Sequence, residues 1–268
     1  MSDFGLEPDA RPPGAGSALR SVLMGLAVAA GLIGLWFGLV EAFALPHFIL
    51  PSPARVLAAL ADQPAYLARH AAITASEIVL GLIAGTLLGT LTALAMTRFS
   101  VFRRLARPAV MASQAVPVFA IAPLLVIWFG YGVSSKVAMA TLIIYFPLVS
   151  TLFDGLRRTE QGLLDIARIT QAPPRRTLFL IRLPAALPSF ASGLRVSASV
   201  APIGAIVGEW VGSAAGLGFV MLQANARMQT DLVFAALLVL ALMAVALRMA
   251  IDIATSRLVH WVDETTMT

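Results

Sequence analysis

Long runs of apolar residues, separated by short polar segments, dominate the pattern along the chain. Each run is about 20 residues or longer, enough for a helix to cross roughly 30 Å of hydrocarbon. Membrane-spanning β-strands would instead alternate over segments of about 10 residues. The pattern therefore predicts an all-α integral membrane protein with six transmembrane helices, at residues 22–45, 72–97, 108–130, 133–153, 189–211 and 232–254.

The segments outside these runs set the predicted domain boundaries. The N-terminal segment is rich in Pro, Gly and Ala, shows no apolar period and reads as a disordered tail. Ala42-Phe43-Ala44 resembles a signal-peptidase site, but the apolar run before it exceeds the roughly 7–15 residues of a signal peptide. A retained helix is therefore favoured. We expect a cytoplasmic tail, one transmembrane domain and a second tail, at residues 1–20, 21–262 and 263–268.

Composition supports lipid as the solvent, and the placement of charge predicts the orientation. The 268 residues are 59% hydrophobic and only 12% charged, too few charges for the surface of a soluble protein. An N-terminus on the inside places thirteen of the nineteen basic residues in inner segments and four in outer ones. Both termini are therefore predicted to be cytoplasmic. The net charge of +5 then needs no nucleic-acid partner, because basic loops account for it.

Small residues recur every four positions in the second and fifth runs. The second contains Gly81, Gly85 and Gly89, and the fifth contains Gly193 within a stripe of Ser and Ala. Such stripes let helices approach closely in lipid, although chance spacing in a chain rich in Ala and Gly is an alternative. We expect them to be helix-packing faces.

Four prolines fall inside the third to fifth runs, where they favour kinks. In transporters, broken backbone is tolerated beside a cavity, which makes these runs candidates for a conduit; purely structural kinks are equally compatible. The prolines are Pro117, Pro123, Pro147 and Pro202.

Catalytic motifs are absent from the sequence. The single lysine, Lys136, follows two serines, so there is no P-loop and any ATP dependence must come from another subunit. The three isolated histidines do not have metal-ligand spacing, and we expect His47 and His70 at a wet interface. We also find no cluster of intramembrane acids that would indicate a proton relay. An enzyme, a metal site and a cofactor in this chain are not predicted.

The predicted loop over residues 154–188 contains a short amphipathic helix. Leu163, Ile166 and Ala167 fall on an apolar side, whereas Asp165 and Gln171 fall on a polar side. Such a helix lies on a lipid surface or docks into a groove of a partner, and both alternatives remain open from the pattern.

Two motifs follow one another along the chain. Asp165-Ile166-Ala167 is followed by Leu183-Pro184, and the stretch from Glu209 to Gly218 has the form Glu-x-x-Gly-Ser-x-x-Gly-Leu-Gly. These motifs, in order, resemble those of the permease subunits of bacterial ATP-binding-cassette (ABC) importers of the sulfonate, nitrate and taurine type. The first resembles their EAA loop, with Asp in place of Glu and Gln171 where Gly is usual.

The resemblance implies a six-helix permease, usually a homodimer, in the bacterial plasma (inner) membrane. ABC ATPase subunits would bind ATP and Mg²⁺ and dock on the helix at Asp165, with contacts from the loop that includes Gln171, Leu183 and Pro184. A periplasmic or lipid-anchored binding protein would deliver the solute. Glu209 would belong to an outer gate or to the binding-protein contact, although a merely solvated charge is an alternative.

The stretch from Ser113 to Pro123 looks most like permeases for thiamine pyrimidine precursors such as hydroxymethylpyrimidine. Aliphatic sulfonate or taurine, nitrate and riboflavin are alternative substrates. Gln114 and Phe119, on either side of Pro117, could offer an amide and a ring to a flat heterocycle, or Gln114 could satisfy backbone freed by the proline. A transporter or channel that works alone is an alternative of another class, which the lack of acid or histidine relays disfavours.

Overall fold

The structure is a computed structural model that describes residues 15–113 and 116–261. Within these ranges the regular secondary structure is helical. In chain order, the helices are α1 (Ala15–Ala42), α2 (Pro53–Asp62), α3 (Pro64–Arg98), α4 (Ser100–Ser113), α5 (Val118–Phe129), α6 (Val133–Arg157), α7 (Gln161–Ile169), α8 (Pro174–Thr177), a π-helical turn (Leu178–Arg182), α9 (Leu183–Gly212), α10 (Leu217–Ala226) and α11 (Thr230–Leu258).

Five helical segments of the described chain are long and apolar enough to cross a membrane. They are formed by α1, α3, α6, the continuous segment from α8 through α9, and α11. The consecutive helices α4 and α5 pass the same criteria only as a bent pair, so the described chain has five such spans, or six where that pair counts as one broken span. The all-α membrane fold predicted from the apolar runs is thus confirmed.

The third predicted span is not one helix. The prediction of a continuous span over residues 108–130 is wrong, because α4 and α5 meet at an angle of 107°. Pro117 lies at this break as the N-cap of α5, with an extended ψ of 115°. It has no N–H to continue the hydrogen-bond ladder of the preceding helix. The other three prolines lie within helices that continue past them, at Pro123, Pro147 and Pro202.

Three predicted boundaries also need correction. Residues 15–20 belong to α1 rather than to a disordered tail, and α3 begins at Pro64 rather than at residue 72. The predicted loop over residues 154–188 is helical from Pro174 onward and runs into α9 as one segment of 39 residues. Pro174 occupies the first turn of its helix, where a missing N–H costs nothing. The rest of the first predicted tail, residues 1–14, and the whole of the second, residues 263–268, lie outside the described residues, as does residue 262.

Helix α6 forms the centre of the bundle, between α3 and α9. A Cβ atom added at Gly81 or Gly204 would collide with Ala140, so both outer helices approach α6 at the same residue. Gly81 belongs to the predicted stripe of the second run, whereas Gly204 lies outside the predicted stripe of the fifth run. The other glycines of the two predicted stripes also face α6: Gly85 faces Ile144, Gly89 faces Leu148 and Gly193 faces Thr151.

Helix α1 lies at the edge of the bundle. No residue in its most apolar window is buried within the chain. Its Trp36 indole N–H donates a hydrogen bond to the Pro51 carbonyl oxygen at 3.0 Å, and the indole ring lies 5.9 Å from that of Phe234 in α11. A few contacts around Trp36 thus attach α1, and most of its apolar surface is left to lipid or to another chain.

The approach of α9 to α6 gives a prediction for Gly204→Ala. The added Cβ would lie 2.6 Å from the Ala140 Cα atom, which belongs to the backbone and cannot rotate away. We expect a loss of about 1–3 kcal/mol in unfolding free energy, the usual cost of overpacking. Thermal unfolding of the purified protein in detergent measures it.

Gly38→Ala in α1 is the matched control, because nothing lies within 4 Å of its added Cβ. It should leave the melting temperature unchanged or raise it, since Ala favours a helix more than Gly does. Equal melting temperatures for the two variants would contradict the close packing at Ala140.

Candidate functional site

Five buried polar side chains from three helices converge inside the bundle, and we call them the polar cluster. α3 supplies three of them at helical spacing, on one face. The relative exposure of each is below one tenth, and the members are His70 (7%), Thr74 (0%), Glu77 (1%), Lys136 (3%) and Glu209 (1%).

The polar cluster binds the first turn of α10. The first four N–H groups of a helix have no partner inside it, and here each donates to a side chain of the cluster. Because α10 begins within the bundle rather than in water, these side chains replace solvent. The pairs are Gly216 N to His70 Nδ1 at 2.9 Å, Leu217 N to Thr74 Oγ1 at 2.8 Å, Gly218 N to Glu209 Oε2 at 2.5 Å and Phe219 N to the same oxygen at 3.3 Å.

Two glycines allow this close approach. Gly216 has a φ of +108°, which L side chains rarely adopt, and a Cβ there would collide with the Glu209 carboxylate. A Cβ at Gly218 would lie 2.9 Å from Glu209 Oε2. The Gly-Leu-Gly part of the sequence motif therefore has a steric cause, since the carboxylate occupies the space of both missing side chains.

Hydrogen bonds and charge link the members of the cluster to one another. The Thr74 hydroxyl donates to Glu209 Oε1 at 2.6 Å, so one side chain joins α3, α9 and α10. The Glu77 carboxyl group lies beside that of Glu209, and the Lys136 ammonium group is close enough to interact with both. Lys136 Nζ donates to the carbonyl oxygens of Tyr131 at 2.7 Å and Gly132 at 2.8 Å. Its positive charge thus offsets part of the repulsion between two acids.

Several sequence expectations fail at this cluster. The expectation of no intramembrane acid cluster is wrong, since Glu77 and Glu209 are neighbours. His70 is buried rather than at a wet interface, whereas His47 is exposed. The alternative in which Glu209 is merely a solvated charge is also wrong, because the residue is 1% exposed. The available signal was Glu77, an acid within an apolar run, but its partner lies more than a hundred residues further along the chain.

The short amphipathic helix of the predicted loop is present as α7. Its apolar side points out of the protein, with Ile166 56% exposed and Ile169 81% exposed. Ala167 packs inward at 6% exposure, and Asp165 and Arg168 form an ion pair of 2.8 Å on the surface. Further along, Leu183 packs against the bundle and Pro184 is exposed.

Gln171 takes the backbone conformation that a glycine would adopt at the end of α7. Its φ is +50°, in the left-handed region. The Gln171 N–H donates to the Arg168 carbonyl oxygen at 3.1 Å, and the Ala172 N–H donates to that of Ala167 at 2.9 Å. These two bonds form a Schellman motif, in which Gly is usual. The replacement of Gly by Gln therefore leaves this turn intact.

Of the residues predicted along the path, Glu209 belongs to the polar cluster, whereas Pro117 and Phe119 make none of its hydrogen bonds. Gln114 lies outside the described residues. Pro117 and Phe119 lie at the start of α5, and Phe119 is 67% exposed on the outside of the single chain. Their role in a path stays a prediction.

Together, the apolar spans and their packing around α6 define a multi-pass membrane protein. Residues 77–264 match the family described as binding-protein-dependent transport system inner membrane component. The chain belongs to this family, and it is a permease subunit of an ABC importer in the inner membrane, not an enzyme. Family membership implies ATPase and binding-protein partners, and the alternative of a transporter that works alone is wrong.

Curated relatives support the same assignment. A probable ABC transporter permease protein of Haemophilus influenzae is 49% identical over 231 residues, covering 86% of this chain and 94% of the relative. The formylaminopyrimidine transport permease protein ThiX of Halalkalibacterium halodurans is 34% identical, covering 74% and 80%. The riboflavin transport system permease protein RibX of Chloroflexus aurantiacus is 32% identical, covering 86% and 87%.

The fold is also found in a solved transporter. A chain of the MetNI methionine ABC transporter, in inward-facing conformations, aligns with a TM-score of 0.63 and 16% identity. The alignment covers 72% of this chain and 95% of that chain. The arrangement of helices is therefore that of an ABC importer permease.

The polar cluster gives a prediction for Thr74→Val. Valine has the shape of threonine but neither accepts from the Leu217 N–H nor donates to Glu209. An unpaired buried amide costs about 1–3 kcal/mol. We expect a lower melting temperature and faster hydrogen exchange confined to the amides of residues 216–226, measured by mass spectrometry.

Thr97→Val is the matched control, because the Thr97 hydroxyl donates only within its own helix, to the Ala93 carbonyl oxygen at 2.8 Å. It should leave exchange in α10 unchanged. Unchanged exchange in the Thr74 variant as well would show that the hydroxyl does not anchor α10.

Proposed function

We propose that α7 is the coupling helix of this permease. Separate ATPase subunits, which bind ATP and Mg²⁺, dock on it. The exposed apolar side of α7 carries this proposal. Ile166 and Ile169 would be costly to leave in water on an aqueous loop, and a groove in a partner buries them. The ion pair of Asp165 with Arg168 is exposed on the same helix beside these isoleucines.

The chain also offers a rigid connection from α7 to the polar cluster. The Schellman turn at Gln171 leads to Pro174, and from there one helical segment runs to Gly212. At about 1.5 Å per residue this segment is nearly 60 Å long, more than the thickness of the hydrocarbon core. Glu209, which holds α10, lies near its far end. A movement of docked α7 would therefore be transmitted along this segment to Glu209, at the opposite end of the bundle.

We propose that two copies of the chain enclose the translocation path. Helix α5 leaves large apolar side chains on the surface of one chain, among them Phe119 at 67%, Ile127 at 75% and Trp128 at 67% exposure. In transporters, broken helices lie beside a cavity or are covered by protein, and most soluble homo-oligomers are symmetric, so a symmetric pair of these faces around a path supports the proposal. Pro117, Phe119 and Gln114 would then lie near the path.

The proposed substrate is a thiamine pyrimidine precursor such as hydroxymethylpyrimidine. It is supported by the 34% identity to a permease named for formylaminopyrimidine transport. Riboflavin, taurine, aliphatic sulfonates and nitrate are the alternatives. In this proposal the binding protein selects the solute, and the permease needs few polar side chains of its own along the path.

Coupling is tested with Ile169→Asp. A charge placed in an apolar groove is desolvated without a partner, and we expect co-purification with the ATPase to be lost. Because Ile169 is 81% exposed, the variant should keep the melting temperature of the wild-type permease. Ile169→Leu, which keeps the apolar side chain, should retain the ATPase. Retention by the Asp variant would refute docking through α7.

The substrate is tested with the binding protein that stimulates ATP hydrolysis by the reconstituted permease and ATPase. Calorimetric titration should show tight binding of hydroxymethylpyrimidine and none of taurine, nitrate or riboflavin. If the binding protein binds one of these compounds and not the pyrimidine, the substrate proposal is wrong, whereas the coupling proposal is unaffected.

A further inference from the structure

Four arginines from two helices surround one cavity on the face of the protein that carries α7. Helix α4 supplies three of them, and the fourth lies at the end of α6. The cavity has a volume of about 410 Å³. We call it the arginine pocket, and its lining consists of Arg103, Arg104, Arg107, Pro108 and Arg157.

The described chain supplies no negative charge to this pocket. The ion pairs of the described chain involve arginines outside the pocket, which are Arg55, Arg168, Arg195 and Arg248. Asp154, one turn before Arg157, lines a different cavity together with Arg158. Positive charges that converge on one cavity without a carboxylate repel one another, and a bound anion relieves this repulsion.

Helix α4 presents three faces, and the basic one lies between an apolar core face and an apolar outer face. Ala106 and Val110 pack inward against the bundle. Val101 and Leu105 point outward and are 69% and 73% exposed. A helix with a basic face beside an exposed apolar face is typical of the boundary between headgroups and acyl chains. An anion in the arginine pocket would thus have apolar surface next to it.

We propose that the arginine pocket binds the phosphate group of an anionic phospholipid, with its acyl chains along Val101 and Leu105. Arginine guanidinium groups bind phosphate oxygens in a bidentate manner, and four of them from two helices form a cradle rather than a diffuse charged loop. The outer apolar face favours a lipid over a free anion, because only a lipid covers that face. The lipid would hold the start of α4 against the end of α6.

Lipid titration of the full-length protein in detergent, read by native mass spectrometry, tests the site. We expect phosphatidylglycerol to bind more tightly than phosphatidylcholine. The triple variant R103Q/R107Q/R157Q should weaken phosphatidylglycerol binding on the order of a hundredfold, from about one factor of five per lost charge. The triple variant R103K/R107K/R157K keeps the charge and should retain most of the affinity.

The matched control is R158Q/R175Q/R176Q, which removes three charges from the same face outside the pocket. It should bind phosphatidylglycerol like the wild type. If the control variant binds phosphatidylglycerol as weakly as R103Q/R107Q/R157Q does, the loss reflects general electrostatic attraction between the basic face and the lipid. That result would refute the site. Displacement of the lipid by an equal concentration of inorganic phosphate would make the pocket a free-anion site. Unchanged lipid binding with loss of the ATPase in R103Q/R107Q/R157Q would make it a protein contact.

Discussion

The beginning of α10 imposes the strictest constraint on this fold. A helix that begins inside a membrane protein has four N–H groups without water to bind them, and each unpaired group would cost several kcal/mol in hydrocarbon. Three side chains from α3 and α9 meet this requirement, those of His70, Thr74 and Glu209. The carboxylate also faces the positive end of the α10 dipole, where a negative charge is stabilised.

The central position of α6 depends on the same geometry. Lipid gives helices no hydrophobic drive to associate, so close contact has to come from small residues. Gly208 of α9 approaches the Lys136 backbone, with the position of its absent Cβ 3.0 Å from the Lys136 Cα atom. This contact lies one turn beyond Gly204 and next to Glu209. The small-residue packing therefore brings the lysine into range of the two acids, and packing and electrostatics are set by one helix interface.

Much of the fold could be predicted from apolar runs, because a span must be long and continuous to cross lipid. The existence of α7 could be predicted as well, since its amphipathic period is local. The polar cluster could not, because Glu77 and Glu209 come together only after α3 and α9 have packed on α6. The helix breaks at Pro117 and continues after Pro174 because the N–H that proline lacks is needed inside a helix but not in its first turn. Residue type alone does not reveal which of these positions a proline occupies.

The shared cap also restricts how the bundle can move. Thr74 of α3 and Glu209 of α9 hold adjacent amides of α10 and are bonded to each other at 2.6 Å. Sliding of α3 along α9 would leave buried N–H groups without acceptors, whereas joint movement of the two helices with α6 preserves every bond. Rigid-body rotation of the α3, α6 and α9 unit is therefore the less costly change. A force applied at α7 would then turn this unit as a whole, and α10 would move with it.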